Sequence, residues 1–328
     1  MKSVTTDPSI TLHIITRRKN EVNLFFRAFF VYNKNMGSLF LLIAAVFWGS
    51  TFVAQKVGGS FVGPFTFLAL RSVIGFVVLF PLDAALVRKY NNGAIWKDKK
   101  AMKAAAIIGV FLFAASYFQQ WGIAYTTAGK AGFITAIYII LVPLTEFLLF
   151  HKRYSIWGWV SVAVAVYGFY LLCLGGEMDL NIGDLLILVS AFLFDAEILA
   201  VDRQARDVSG IRVSCLQFLV VGGLAAVGMF LLEKPSLQVI QAAAPSILYA
   251  GVFSSGIAYT CQILGQKSTP PLVATLLMSL ESVFSVIFGF LLLHETMTFR
   301  EMCGCVVVFA GAIMVQVLGS GKEKAAEE

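Results

Sequence analysis

GVFLFAASYFQQ at 109–120 returns as GVFSSGIAYTCQ at 251–262. FLLFHKRYS at 147–155 returns in the same way as FGFLLLHETMT at 288–298. Each copy lies within a set of five long apolar runs, so the chain predicts two related halves of five helices each. Because five is an odd number, the second half enters a membrane from the opposite side, and the halves form inverted repeats.

The composition is typical of a membrane protein. Of the 328 residues, 59% are hydrophobic and 13% are charged, and the mean hydropathy is +0.82. Soluble domains are about 45–50% apolar and about 25% charged. The predicted fold class is therefore an all-α polytopic membrane protein in a lipid bilayer. The formal charge of +6 does not indicate a nucleic-acid partner, because the basic residues lie where they set membrane orientation.

Ten apolar runs have the length of about 20 residues that is needed to cross the hydrocarbon core. They define spans 1 to 10, predicted at 37–57, 64–86, 104–124, 129–150, 155–175, 182–202, 211–232, 245–265, 271–292 and 300–319. The first repeat then covers 36–176, the second covers 182–319, and a charged tail follows at 320–328. Pro143 interrupts span 4 and is a plausible kink for gating, although prolines in membrane spans are often only structural.

The basic residues predict that both termini are cytoplasmic. With the N-terminus inside, the inner segments hold 20 Lys and Arg residues and the outer segments hold 4, a strong positive-inside asymmetry. Reporter fusions at Gly93 and at Glu328 should therefore both behave as cytoplasmic. A periplasmic signal from either fusion would contradict the inverted-repeat topology.

Residues 1–35 form a polar tail whose one apolar patch is too short to span a membrane. The tail lacks the ordered regions of a signal peptide, so it is interpreted as a disordered or surface-lying leader. The alternative interpretation is that Met36, directly before span 1, is the native start.

Ionisable residues within the spans are candidates for a functional site, because each costs about 2.5–3.5 kcal/mol at mid-membrane unless it is paired or hydrated. Glu281, near the middle of span 9, is the deepest acid in the chain. Asp195 and Glu197 lie in span 6 and, two residues apart, cannot face the same point. Arg71 lies about 10 Å from the outer end of span 2, and its long side chain could also extend to the interface.

Polar residues recur at matching positions of the two repeats. The matched pairs are Tyr117 with Tyr259, Gln120 with Gln262, Arg71 with Gln217, and Tyr138 with Glu281. Such positions converge on the axis that relates the halves, where a substrate site is expected. In span 8, the helical spacing of Ser255, Tyr259, Gln262 and Gln266 predicts one polar face. The rival explanation for each residue alone is hydrogen bonding between helices.

The sequence offers no motif for catalysis or for a cofactor. No nucleophile–base pair and no metal-ligand constellation is apparent, so no catalytic, metal-binding or cofactor-binding residue is nominated. TTAGKAG at 126–132 resembles a phosphate-binding loop only superficially, because Ala124 stands where the first glycine belongs and Ala131 replaces Ser or Thr.

Over roughly 36–319 the chain resembles the drug/metabolite transporter superfamily, in its EamA-type, ten-helix form. The likeness rests on FWGSTFVAQKVG (47–58), GPFTFLALR (63–71), TTAGKAGFITAIYIILVP (126–143), SCLQFLV (214–220), SSGIAYTCQILGQK (254–267) and LLMSLESVFSVIFGFLLLHE (276–295). The resemblance implies eight helices around a central cavity, with Trp48 of the first motif among its candidates, and spans 5 and 10 outside the pathway. Two departures are Ser282, where relatives have proline, and the acids Asp195 and Glu197.

Repeats and resemblance together favour a secondary active transporter in the bacterial inner membrane. The expected substrate is a small metabolite or drug-like compound, the expected direction is export, and a proton is the candidate coupling ion. The hypothesis assigns proton coupling to Glu281 and cation preference to Glu197 or Asp195. A non-transporting sensor or scaffold is the alternative, and a membrane-bound enzyme is the third possibility.

Overall fold

A computed structural model of the chain describes residues 34–90, 97–173, 181–295 and 298–319. Apart from residues 34 and 35, the predicted tails at 1–35 and 320–328 lie outside the described residues. The described part is built of helices joined by short connections, which confirms the all-α membrane fold class.

Spans 1, 2, 3, 5 and 6 each consist of one α-helix. Their bounds are Lys34–Gly58, Pro64–Tyr90, Lys99–Ile123, Ile156–Cys173 and Ile182–Gln204. The outer and inner faces of the molecule are named below by the predicted topology.

The other five spans change their helical geometry along their length. Span 4 comprises Ala128–Thr135 and Tyr138–Phe150, and span 9 comprises Pro271–Met278 and Glu281–Leu293. Span 7, Gly210–Gly228, ends in the π-helical turn Met229–Glu233, and span 10, Phe299–Met314, ends in the π-helical turn Val315–Gly319. Span 8 contains α-helices Leu237–Tyr249 and Tyr259–Gln266 around a nine-residue π-helix, Ala250–Ala258.

The helix ends carry the residues that sequence rules expect there. Asp98 caps span 3 by accepting a hydrogen bond from the Ala101 amide at 3.0 Å, and Asn181 and Asp184 form a reciprocal capping box at span 6. Spans 4 and 9 both end before a histidine in the left-handed conformation, His151 and His294, each with φ 54°. The fourth span of each half therefore ends in the same backbone conformation.

Seven of the described helices are long and apolar enough to cross a membrane: those of spans 1, 2, 3, 4, 7, 8 and 9. Spans 5 and 10 contain shorter apolar helices, Ile156–Leu171 and Met302–Leu318. Span 6 is also long, but Asp184, Asp195 and Glu197 lower its apolar character. These acids must therefore be accommodated inside the bundle rather than toward lipid.

The helix packing maps onto itself when each span is exchanged for its counterpart in the other half. Span 2 packs on span 7, and span 5 packs on span 10. The contact of span 3 with span 6 corresponds to that of span 8 with span 1, and the contact of span 4 with span 6 corresponds to that of span 9 with span 1. This pattern is the one expected of two repeats related by an approximate two-fold axis.

Spans 5 and 10 form a pair at the periphery of the bundle. Gly168 lies against Val308 and the Gly304 carbonyl, and Gly311 lies against the Ala165 backbone, so small residues allow close contact. The pair meets the remaining helices mainly through spans 4 and 9.

Candidate functional site

A cavity lies between the two halves and is lined by seven of the spans. Its lining residues are Trp48, Phe52, Gln55, Arg71, Gln119, Thr135, Tyr138, Phe194, Glu197, Ile198, Ser254, Tyr259, Gln262, Met278 and Glu281. Spans 1 to 4 contribute from the first half, and spans 6, 8 and 9 contribute from the second. The cavity volume is about 30 Å³, room for roughly two water molecules. The described conformation is therefore closed around a site that a larger compound could enter only after the helices move.

The α-helices of spans 4 and 9 are both interrupted at the level of the cavity, and these interruptions are called bends below. The bends lie at Ala136–Ile137 and at Ser279–Leu280, where 3₁₀-type hydrogen bonds replace the α-helical ones. The second helix of each span begins directly afterwards, at Tyr138 and at Glu281 respectively. Helix N-termini carry partial positive charge, so both helices direct that end toward the middle of the bundle.

The bend in span 4 does not lie at Pro143, where a kink was predicted. Pro143 is a buried residue inside the helix Tyr138–Phe150, and the bend precedes that helix. Span 9 is interrupted at the matching place without a proline, and Ser282 follows Glu281 there. There the hydroxyls of Ser279, Ser282 and Ser285 each donate to a carbonyl three residues earlier, at 2.7–2.9 Å. Such back-bonding bends helices without proline.

Glu281 and Tyr138, a matched pair in the sequence, meet across the cavity. Both side chains are nearly inaccessible to solvent, with 5% and 3% exposure. The Tyr138 hydroxyl is close enough to interact electrostatically with the Glu281 carboxylate, although it has no hydrogen bond of regular geometry. The first residues of the second helices of spans 4 and 9 thus meet at one point of the cavity.

Glu197 and Asp195 point to different sides of span 6, as their spacing predicts. Glu197 lines the cavity, is fully buried, and accepts a hydrogen bond from the Gln262 amide at 2.9 Å. Its second carboxylate oxygen has no hydrogen-bond partner among the described residues. Asp195 lies outside the cavity lining and accepts a 2.8 Å hydrogen bond from the Thr145 hydroxyl of span 4.

Arg71 faces the cavity and does not extend to the interface. Its side chain lies beside the Tyr259 hydroxyl and is 3% exposed. Its Nε atom has no acceptor, and the guanidinium forms no ion pair within the part of the chain that the structure describes. Tyr259 is held in turn by edge contacts with Trp48 and Phe218, at centroid distances of 4.9 and 5.6 Å.

Three further sequence candidates lie outside the cavity lining. Tyr117 stacks on Phe65 at 4.3 Å, and the Gln120 amide donates to the Gln55 carbonyl at 3.1 Å. Gln217 is fully buried, and its amide atoms have no partner among the described residues. Spans 3 and 8 therefore present their matched residues differently. The π-helix of span 8 is absent from the described helix of span 3, and its wider turn rotates the residues that follow it.

The same π-helix changes the predicted polar face of span 8. Tyr259 and Gln262 line the cavity, as expected, but Ser254 lines it in place of Ser255. Ser255 packs near Gly75 of span 2. Gln266 donates to the Ile198 carbonyl at 3.1 Å instead of facing the cavity.

Sequence reasoning missed a chain of polar residues on the outer side of the cavity. Gln55 donates to the Gln119 side chain at 3.1 Å, and Gln119 donates to the Thr135 hydroxyl at 3.1 Å. The signal was available, since Gln55 and Gln119 are amides inside predicted spans and Thr135 occupies the position that matches Met278. Of the other lining residues, Phe52, Phe194 and Ile198 are ordinary apolar span residues that only the packing could identify.

The cavity holds no recognisable metal site. Among the described residues, no group of three or more His, Cys, Asp or Glu side chains is placed to hold a metal ion. Its polar groups are instead one guanidinium, two carboxyls, amides and hydroxyls, which suit recognition of an organic compound.

Comparison with known proteins assigns the chain to a family. A model of the EamA-like transporter family matches residues 35–174 and again residues 181–317. A transporter of Archaeoglobus fulgidus, described as uncharacterized, is 29% identical over 278 residues, which cover 84% of each chain. Transporter YoaV of Bacillus subtilis, also described as uncharacterized, is 23% identical over 84% of this chain and 94% of its own.

Two further comparisons agree with this result. Protein PecM of Dickeya dadantii is 25% identical over 72% of this chain and 83% of its own. A solved crystal structure aligns with a TM-score of 0.71 at 19% identity, covers 88% of this chain and 99% of that chain, and shows the same fold. Since the family model matches most of the chain in two copies, this multi-pass membrane transporter belongs to the EamA-like transporter family.

Proposed function

We propose that the protein is a secondary active transporter that moves a small metabolite or drug-like compound by alternating access through the central cavity. The observation that carries this proposal is the composition of the cavity wall, which combines Arg71, Glu197 and Glu281 from three spans of both halves. Charged residues at this depth persist where they serve a pathway or a substrate. We further propose export across a bacterial inner membrane, as the family resemblance implies, with the two halves in inverted orientation.

Unpartnered polar atoms around the cavity support a polar substrate. Among the described residues, Trp48 Nε1 and Arg71 Nε are buried donors without acceptors, and Glu197 Oε1 and Gln262 Oε1 are buried acceptors without donors. Leaving such atoms unpaired costs about 1–3 kcal/mol each. A compound that offers acceptors to Arg71 and Trp48, and donors or a positive charge to Glu197 and Gln262, removes this cost when it binds.

The bends in spans 4 and 9 support alternating access. Each bend separates an outer from an inner helical segment. The bend in span 4 lies beside the Tyr138 hydroxyl, and the bend in span 9 lies beside the Glu281 carboxyl group. A local 3₁₀ stretch within a helix is a common hinge. Tilting the segments around these two points would open the cavity to one face and then to the other.

A thermal-shift screen of the purified protein tests the proposal. The panel contains amines, amino acids, nucleosides and drug-like cations, and at least one compound should raise the apparent melting temperature. A ligand at 100 times its Kd stabilises the folded protein by about 2.7 kcal/mol. Glu197→Gln should weaken the shift because it removes one of the two carboxyl groups that line the cavity.

Asp202→Asn is the matched control, since Asp202 lies in the same span but pairs with Arg206 outside the cavity, at 2.8 Å. The control should retain the shift. Compounds that bind are then tested for flux in proteoliposomes. A compound that binds to the wild-type cavity but shows no protein-dependent flux would favour the sensor or scaffold function instead.

A further inference from the structure

Spans 2 and 7 are counterparts in the two halves and pack on each other. Their ends therefore mark the seam between the halves at both membrane faces. A polar contact closes this seam at each end. The two contacts are built alike, since an acid toward the C-terminal end of one span binds the first turn of the other.

The outer contact, called the outer latch, joins Glu233 to Phe65 and Thr66. The Glu233 carboxylate accepts hydrogen bonds from the Phe65 amide at 2.8 Å, the Thr66 amide at 2.7 Å and the Thr66 hydroxyl at 2.5 Å. These amides belong to the first turn of span 2, where backbone donors lack helical acceptors and the helix dipole favours negative charge. The π-helical turn Met229–Glu233 ends at the acid and places it there.

The inner contact, called the inner latch, joins Arg212 to Asp83 and Asp98. The Arg212 Nε donates to Asp83 Oδ1 at 3.2 Å, and one terminal nitrogen donates to Asp98 Oδ2 at 3.1 Å. The Arg212 and Asp83 side chains are each 4% exposed, whereas Asp98 is 29% exposed. Asp98 also caps span 3, so the inner latch connects spans 2, 3 and 7.

The latches engage matching positions of the two repeats. Thr66 precedes Arg71 by the same number of residues as Arg212 precedes Gln217, and Arg71 and Gln217 are counterparts. Both latches are closed in this structure, and the cavity between them admits little more than water. The first-turn partners of the two latches, Thr66 and Arg212, therefore occupy the same register on opposite faces of the predicted topology.

We infer that Glu233 and the Arg212–Asp83 pair are positioning residues that hold the outer and the inner end of the span 2–span 7 seam closed in alternation. This inference rests on the proposed alternating-access function. When the cavity opens outward, the Glu233 contacts part while the Arg212 contacts remain, and the reverse holds when it opens inward. Weakening one latch therefore shifts the population toward the conformation that is open on that face.

Cysteine accessibility in membrane vesicles tests the inference without a substrate. Ser254→Cys, a conservative change at a cavity-lining residue, is introduced into a chain whose five native cysteines have been replaced. The rate of labelling by a membrane-impermeant maleimide is measured in right-side-out and inside-out vesicles. Glu233→Gln and Asp83→Asn are compared in this background, with Asp202→Asn as the control because Asp202 pairs locally with Arg206, at the end of span 6 and away from the seam.

Glu233→Gln should raise labelling from the outside and lower it from the inside, and Asp83→Asn should do the reverse. Charge-assisted hydrogen bonds are about twice as strong as neutral ones, so a change on the order of 5-fold in the outside-to-inside ratio is expected. Asp98→Asn, at the more exposed partner, should act in the direction of Asp83→Asn and provides a second inner variant if Asp83→Asn does not fold. The Asp202→Asn ratio should equal that of the reference.

The inference is overturned if the inner and outer variants move the ratio in the same direction, or if they lower the melting temperature without changing the ratio. Either result assigns the contacts to fold stability alone. The flux and ligand-binding measurements are independent of this labelling. Loss of the proposed transport function would therefore appear there, while the latch variants would still show opposite accessibility.

Discussion

Glu281→Gln should abolish accumulation of the transported compound that is driven by a pH gradient. Glutamine keeps the shape of the side chain but cannot bind and release a proton. Glu281 is the first residue of the outer helix of span 9, Glu281–Leu293, and it lines the cavity. As the cavity opens to one side and then to the other, its carboxyl group would therefore meet each side of the membrane in turn. A cavity without this group has no carrier for the coupling proton at that position.

Downhill exchange should survive in the Glu281→Gln variant, because exchange needs a cavity and hinges but no net proton movement. The measurement uses proteoliposomes loaded with a compound that the thermal-shift screen identifies. One set carries an imposed pH gradient, and a second set carries only unlabelled compound inside. The expected result is loss of gradient-driven uptake together with partial retention of exchange and of ligand-induced stabilisation.

Asp207→Asn is the control for this substitution. It also removes a carboxylate, but Asp207 is exposed and lies beyond the end of span 6. It should retain both activities. If Glu281→Gln concentrates the compound as well as the wild type does, Glu281 has a structural role beside Tyr138, and proton coupling must be sought at Glu197 or elsewhere.

The depth of a charged residue in a span was a sound guide to the cavity. Arg71, Glu197 and Glu281 were nominated because hydrocarbon cannot solvate them, and all three line the cavity. The same reasoning could not separate Glu197 from Asp195 by role, since their rotation depends on how span 6 packs. A single contact with Thr145 of span 4 gives Asp195 its partner and removes it from the lining.

Repeat matching was a weaker guide, because equivalent positions need not be presented equivalently. Tyr138 and Glu281 meet, whereas Tyr117 and Tyr259 do not. The difference arises in span 8, where a nine-residue π-helix precedes Tyr259 and span 3 continues as an α-helix. A residue pattern read at 3.6 residues per turn cannot reveal such a change. Because of this π-helix, Ser254 lines the cavity where Ser255 was expected, and Gln266 faces away from the cavity.

The proline in span 4 does not mark the place where its α-helix is interrupted. Pro143 was the obvious candidate, yet span 9 bends at the matching position without proline. Serine back-bonding at Ser279, Ser282 and Ser285 supplies the local cause in span 9.

Gly49→Ala should destabilise the protein strongly, although alanine is a better helix former than glycine. Gly49 lies in the FWGS motif of span 1, where span 1 crosses span 9 one turn from Glu281. An added Cβ would overlap the Cβ of Phe284 and lie 2.9 Å from both the Phe284 carbonyl carbon and the Ser285 nitrogen. Two of these atoms are backbone, so relief requires the helices to separate. Overpacking of this kind costs about 1–3 kcal/mol.

Gly223→Ala makes the same chemical change in span 7, where an added Cβ has no neighbour within 4 Å. The two variants are compared by thermal unfolding in detergent. Gly49→Ala should lower the melting temperature by roughly 2–12 °C, and Gly223→Ala should leave it unchanged or slightly raised. Equal melting temperatures would show that spans 1 and 9 do not make this close contact. Since that contact lies beside the cavity, Gly49→Ala should also reduce ligand-induced stabilisation, which Gly223→Ala should preserve.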